Sequence, residues 1–288
     1  MPTAELTDIS MHYEIEGVGD PLVLIPGLGN TVQVWDPVTP DLNRHFTLIC
    51  TDSRGVGRSI AKRPARTVRD YSSDLVELLD HLQLDQVHVV GLSLGGIIAQ
   101  RFAVDHPSRL RRLVLISCTY NFTPYLREMA RLVGQTLRWF PKTTFARTME
   151  VLGCGPRYFD ADPDRINQRI EKMREMNVST RAIMRQLRAL GSSKVNRDEY
   201  RIVGETLVIA GEFDTLIPHC YSRQMASLIE GSRFLLIPEC GHNPFNDVPE
   251  QVLPLIIEFL GHGQVAPQAS MASPTLGIDQ WPQTRDVA

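Results

Sequence analysis

The 288 residues are 43% hydrophobic and 22% charged with a formal net charge of -3, the balance of a globular chain long enough to bury a large core. That charge gives no reason to expect nucleic acid or an anionic membrane surface as a partner. The amino terminus has no basic segment leading into an apolar run, and no apolar stretch approaches the roughly 20 residues that span a bilayer, so a soluble, cytoplasmic chain is expected.

In chain order, short β-branched runs alternate with longer amphipathic segments. Strands are expected over 11–16, 22–25, 46–51, 87–90 and 113–117, each stopped by Gly, Pro, Asp or Asn. The later runs are continuous rather than alternating, which suits strands buried on both faces of a mainly parallel sheet. Helices are expected over 68–82 and 94–106; in the first, Leu75, Leu78, Leu79 and Leu82 recur at spacings of three and four. Strands returned by helices imply right-handed βαβ units and an α/β fold. From about 120 to 195 the β-branched runs give way to Arg, Met, Leu and Gln in helical spacing, read as three or four inserted helices. Strand texture resumes at 206–210 and 234–237, followed by a closing helix over 249–260. An insertion that interrupts a sheet and lets it resume is read as a cap over one end of that sheet. The final stretch, rich in Pro, Ser, Gln and Thr, is expected to be a disordered tail. The expected division is therefore a core of 1–119 and 196–261, a helical cap of 120–195 and a tail of 262–288.

The five cysteines (Cys50, Cys118, Cys154, Cys220, Cys240) show no Cys-x-x-Cys spacing, so they read as buried thiols rather than as a zinc or redox site. The segment that carries chemistry is Gly91-Leu92-Ser93-Leu94-Gly95-Gly96, between a strand and a helix. A serine hydroxyl is a poor nucleophile unless held exposed beside a base. A sharp strand-to-helix turn does this, and the flanking glycines avoid side-chain collisions. The helix also points its free N–H groups at the site. A second turn, Ile25-Pro26-Gly27-Leu28-Gly29-Asn30, follows another apolar strand. Acyl transfer needs two donors aimed at an oxyanion, and the backbone N–H groups of Leu28 and Leu94 are the candidates. Of the eight histidines, His242 stands between Gly241 and Asn243-Pro244 just after the last strand, framed as a loop residue, and is the candidate base. Asp214, just after the strand at 206–210, is the candidate acid that orients it, with Glu212 as its rival.

Together these motifs resemble the α/β-hydrolase superfamily over nearly the whole chain up to Gly261. The order Ser93, Asp214, His242 matches that family's nucleophile, acid and base. Asp52-Ser53-Arg54-Gly55-Val56-Gly57-Arg58-Ser59 is similar to the loop after the fourth strand in its capped single-domain branch. The elbow and the Gly-x-x-Asp-x-x-x-Pro segment are similar to 3-oxoadipate enol-lactonases and related esterases. The resemblance implies a mainly parallel eight-stranded sheet with helices on both faces and a helical cap inserted after strand 6. Many members carry a histidine where this chain has Pro26. Some take the acid from the end of the sixth strand, where this chain reads Ser117-Cys118-Thr119-Tyr120 without a carboxylate. Dehalogenases and epoxide hydrolases of this fold need an aspartate nucleophile, so Ser93 points instead to acyl chemistry.

The expected activity is hydrolysis of a small-molecule ester or lactone, with no metal or organic cofactor and an unassigned oligomeric state. The same triad also fits a carbon–carbon bond hydrolase, an acyltransferase or a weakly catalytic ligand receptor. Residues 120–195 hold eleven Arg and three Lys against seven Asp and Glu. That excess is either a solvated face or a means of drawing an anionic substrate into the cleft. Trp35, Trp139, Phe140 and the methionines of the inserted helices are candidates to line an apolar substrate pocket, with ordinary packing as the competing reading.

Overall fold

The continuous apolar runs of the middle of the chain become the central strands of one sheet, because residues apolar on both faces are stable only where helices cover both sides. The computed structural model describes residues 2–162, 164–175, 178–192 and 200–263. Its strands are β1 (Thr3–Glu5), β2 (Ile9–Gly17), β3 (Asp20–Ile25), β4 (Phe46–Thr51), β5 (Ile60–Ala61), β6 (Val87–Leu92), β7 (Leu110–Ile116), β8 (Glu205–Gly211) and β9 (Arg233–Ile237). The sheet order is β1-β2-β4-β3-β6-β7-β8-β9, with β5 on β2. Pairing is antiparallel around β2 and parallel from β4 to β9. Among the described residues there are nine strands rather than eight, because the two-residue β5 adds to the expected count.

The helices are α1 (Thr39–Leu42), α2 (Val68–His81), α3 (Leu94–Asp105), α4 (Pro124–Trp139), α5 (Lys142–Gly153), α6 (Pro156–Ala161), α7 (Asp164–Glu175), α8 (Thr180–Ser192), α9 (His219–Ala226), α10 (Pro244–Asp247) and α11 (Pro249–His262). A capping box between Thr67 and Asp70 starts α2, satisfying N–H groups that have no intrahelical acceptor. One face of the sheet packs on α2, α3 and α9 through residues such as Leu78, Phe102 and Met225. The other packs on α1 and α11 through Leu42, Ile256 and Phe259. Among the described residues no helix is long and apolar enough to cross a membrane.

Five helices, α4 to α8, lie between β7 and β8, where three or four were expected; the short α6, begun by Pro156, accounts for the difference. They carry their own apolar cluster, including Val133, Phe145 and Ile183, with Leu28 of the loop after β3 packed against it. The closing helix runs past the expected boundary at 261 to His262 and ends on Gly263 in the left-handed conformation at φ 68°. The expected boundary at 195/196 and the expected tail beyond Gly263 lie outside the described residues.

Candidate active site

Ser93 occupies the turn between β6 and α3 with φ 56° and ψ -116°, a backbone region that non-glycine residues rarely enter. Its neighbours make the turn possible. A side chain on Gly95 would fall on the carbonyl oxygen of Ile25, and one on Gly96 would come within 2.6 Å of the Cys118 sulfur. The Ser93 N–H donates to the Ile116 carbonyl at 2.9 Å, tying the turn to β7.

His242 lies in the loop after β9, where its backbone N–H donates to the Gly153 carbonyl at the end of α5, 2.6 Å away. Its ring Nδ1 is 2.8 Å from Asp214 Oδ2. The Asp214 side chain is fully buried, and its Oδ1 accepts from the N–H groups of Leu216 and Ile217 at 3.0 and 2.9 Å. An ionised carboxylate with these partners requires the proton on Nδ1 and leaves Nε2 as the basic nitrogen. Glu212 is exposed and accepts from the Glu239 N–H at 3.0 Å, so Asp214 is the acid beside the histidine.

Ser93, His242, Leu28 and Leu94 all line one cavity of about 220 Å³. Leu94 is the first residue of α3, so its N–H has no intrahelical acceptor. The Leu28 N–H likewise has no acceptor among the described residues. The far wall comes from the inserted helices, through apolar side chains such as Leu126, Val133, Phe145, Ile183 and Leu187. Three cations also reach the cavity. Arg169 Nε is 2.6 Å from Glu150 Oε2, and Lys172 Nζ is 3.0 Å from Asp36 Oδ2. Lys142 Nζ donates to the Val178 carbonyl at 3.3 Å and has no carboxylate partner among the described residues. No cluster of three or more His, Cys, Asp or Glu suited to a metal ion occurs among the described residues.

None of the three aromatic residues expected in the pocket lines it. Trp35 is 1% exposed and packs edge-on against Phe245 within the core on the α1 and α11 side. Trp139 and Phe140 are 72% and 56% exposed. On α4 the cavity-facing residues are Leu126, Met129, Ala130, Val133 and Leu137. Trp139 lies two residues past that face, about 200° around the helix. Phe140 has the right spacing, but the helix ends before it and its backbone is extended at φ -116° and ψ 159°.

Two residues without a sequence signal also belong to the site. Asp247 Oδ2 accepts from the N–H groups of Gly241 and Gly155 at 2.7 and 2.9 Å, joining the histidine loop to the inserted helices. Burial raises its carboxyl above the usual range, while those two bonds pull the other way. Gln186, on α8, accepts from the Gly29 N–H at 2.8 Å. Both depend on partners far away in the chain, which local spacing does not reveal.

Residues 20–153 match the family described as the alpha/beta hydrolase fold. A 2-hydroxy-6-oxo-2,4-heptadienoate hydrolase of Pseudomonas putida is 31% identical over 248 residues, covering 78% of this chain and 83% of that protein. RutD of Stutzerimonas stutzeri, named as a carbamate hydrolase, is 26% identical over 250 residues, covering 83% and 94%. Among solved structures, a thermophilic esterase of Thermogutta terrifontis superposes with a TM-score of 0.79 at 28% identity, covering 91% of this chain and 98% of that one.

Proposed function

The chain belongs to the α/β-hydrolase family, and within it we propose a serine hydrolase that cleaves a carboxylic ester or lactone through an acyl-enzyme. The observation that carries this reading is the 2.8 Å contact of His242 Nδ1 with the buried Asp214, in a cavity that also holds Ser93 on its strained turn. His242 Nε2 takes the Ser93 proton as Oγ forms a bond to the substrate carbonyl carbon. The carbonyl oxygen becomes an oxyanion facing the N–H groups of Leu28 and Leu94. Collapse breaks the carbon–oxygen bond of the leaving alcohol, which takes the proton from His242; in a lactone that alcohol stays attached. Water, deprotonated by His242, then releases the acid and restores Ser93. The inserted helices act as a cap that shields these steps from bulk water. Lys142, the one of the three cations at the cavity without a carboxylate partner among the described residues, supports a substrate that carries an acidic group.

Intact mass spectrometry after fluorophosphonate treatment tests the nucleophile. One adduct is expected, mapped to Ser93 and absent in Ser93→Ala, with Asp214→Asn slowing ester turnover by about 10⁴-fold. A folded wild-type protein that takes no adduct would sink the reading. The 31% identity to a hydrolase named for a 6-oxo-dienoate favours a second reading, carbon–carbon cleavage by the same triad. Turnover of such a keto acid in preference to esters and lactones would establish it over the first.

A further inference from the structure

Besides packing on the Leu28 side chain, the helical insertion grips the loop that carries the Leu28 N–H at Gly29. Gln186 of α8 is fully buried, and its Oε1 accepts from the Gly29 N–H at 2.8 Å. One turn earlier on α8, Ile183 packs on the same glycine, where an added Cβ would meet its Cγ1 and Cδ1 at 3.1 Å. Gly29 itself stands at φ 68°. Ile183 and Gln186 are three apart, so one face of α8 delivers both contacts.

The Leu28 carbonyl and the Gly29 N–H belong to one peptide plane. Gln186 holds its N–H side, and Asn30 Nδ2 donates to its oxygen at 3.4 Å. The adjoining plane, Gly27 to Leu28, carries the donor proposed above for the oxyanion. Fixing one plane limits rotation of the other, because only φ and ψ of Leu28 separate them. The buried Nε2 of Gln186 has no partner among the described residues, and turning the amide over would set its NH₂ against the Gly29 N–H. A buried amide that leaves one end unpaired is a poor structural device. Its oxygen therefore supplies the function.

We propose that Gln186 is a positioning residue that holds the Gly27–Asn30 loop with the Leu28 N–H aimed at the oxyanion, making α8 part of the catalytic apparatus as well as a wall of the pocket. This rests on the assignment of Ser93 and Leu28 above. The test uses the full chain with Gln186→Met, Gln186→Asn and Gln186→Glu. Two quantities are read: the rate of fluorophosphonate labelling at Ser93, whose phosphoryl oxygen occupies the oxyanion position, and kcat and KM for p-nitrophenyl butyrate. Methionine removes the acceptor at similar length, and asparagine withdraws it by one methylene. Both are expected to lower labelling and kcat by about 10- to 100-fold with KM little changed. Glutamate keeps an oxygen for Gly29, so it should label faster than methionine or asparagine, and it stays below wild type because it buries a carboxylate beside the oxyanion. Thermal unfolding identifies which variants fold, and asparagine carries the reading if methionine does not. Wild-type labelling rates in folded Gln186→Met or Gln186→Asn would overturn the proposal and leave Ser93 as nucleophile intact. An unlabelled wild type would instead remove the assignment of Ser93, and this proposal with it.

Discussion

Ser93 keeps a backbone conformation that costs a non-glycine residue about 1–3 kcal/mol, and the surroundings hold it there. Its N–H is bonded to β7, and Gly95 lies so close to the Ile25 carbonyl that no side chain fits. On β6, the strand that leads into this turn, His88 is 2% exposed and its Nδ1 has no partner among the described residues. Burial draws its pKa down to about 4, with Arg112 and Arg111 acting in the same direction and Asp20, 3.8 Å away, opposing them. Its value in the unfolded chain is about 6.5. Above that pH both states are neutral and His88 adds nothing to the pH dependence. As pH falls from 6.5 towards 4, the unfolded chain binds a proton that the folded chain refuses, so stability is lost by about 3 kcal/mol. Urea unfolding at pH 7 and 4.5 should show a smaller loss in His88→Leu than in wild type. Equal losses would mean that His88 does not titrate as its burial requires.

At the scale of elements, the loop after β4 is a buried polar clamp. Asp52 Oδ1 accepts from the Val32 N–H at 2.8 Å and Oδ2 from the Arg58 N–H at 2.9 Å, holding together the segments that follow β3 and β4. Arg54 reaches α2, where Nε is 2.8 Å from Asp74 Oδ2 and Nη2 bonds to Oδ1; the side chains are 5% and 2% exposed. Burial pushes the Asp74 carboxyl up to about 6 against the pull of Arg54. Removing the guanidinium strands that acid in the core. Arg54→Met should therefore cost about 3–5 kcal/mol, whereas Arg54→Met with Asp74→Leu should recover most of it, since an apolar pair of similar volume fills the site without desolvating charge. A single variant within about 1 kcal/mol of wild type would show the pair to be dispensable. The sequence made this loop legible as a signature of the fold, but not its partner, because Asp74 lies on a helix twenty residues away.

At the scale of the molecule, the sheet presents Ser93, Leu28 and His242 from three loops, and the inserted helices close the space above them. Bonds between the halves converge on the site: Gln186 to Gly29, the His242 N–H to Gly153, and Asp247 to Gly155. A cavity bounded in this way sets a limit on the acyl group. Val133 is 4% exposed and lines the wall, so Val133→Trp should fill part of the space. In a series of p-nitrophenyl esters from acetate to octanoate, kcat/KM for the longer chains should fall by about tenfold or more relative to acetate. An unchanged profile would place the acyl group elsewhere.

Much of this is legible in the amino-acid sequence by itself. The strands and the turns that carry Ser93, Asp214 and His242 can be read because turn glycines and apolar periodicity act over a few residues, while the order of the three is what the family resemblance implies. Asp214 and His242 stand in hydrogen-bond contact, and Glu212 turns to solvent. The pocket is not legible in the same way. Trp35, Trp139 and Phe140 have suitable side chains, but a position in a cleft depends on where a helix stops and which face meets its neighbour. Gln186 and Asp247 lack any signal for the same reason. Hydrogen bonds across 157 and 92 residues exist only once the chain has packed.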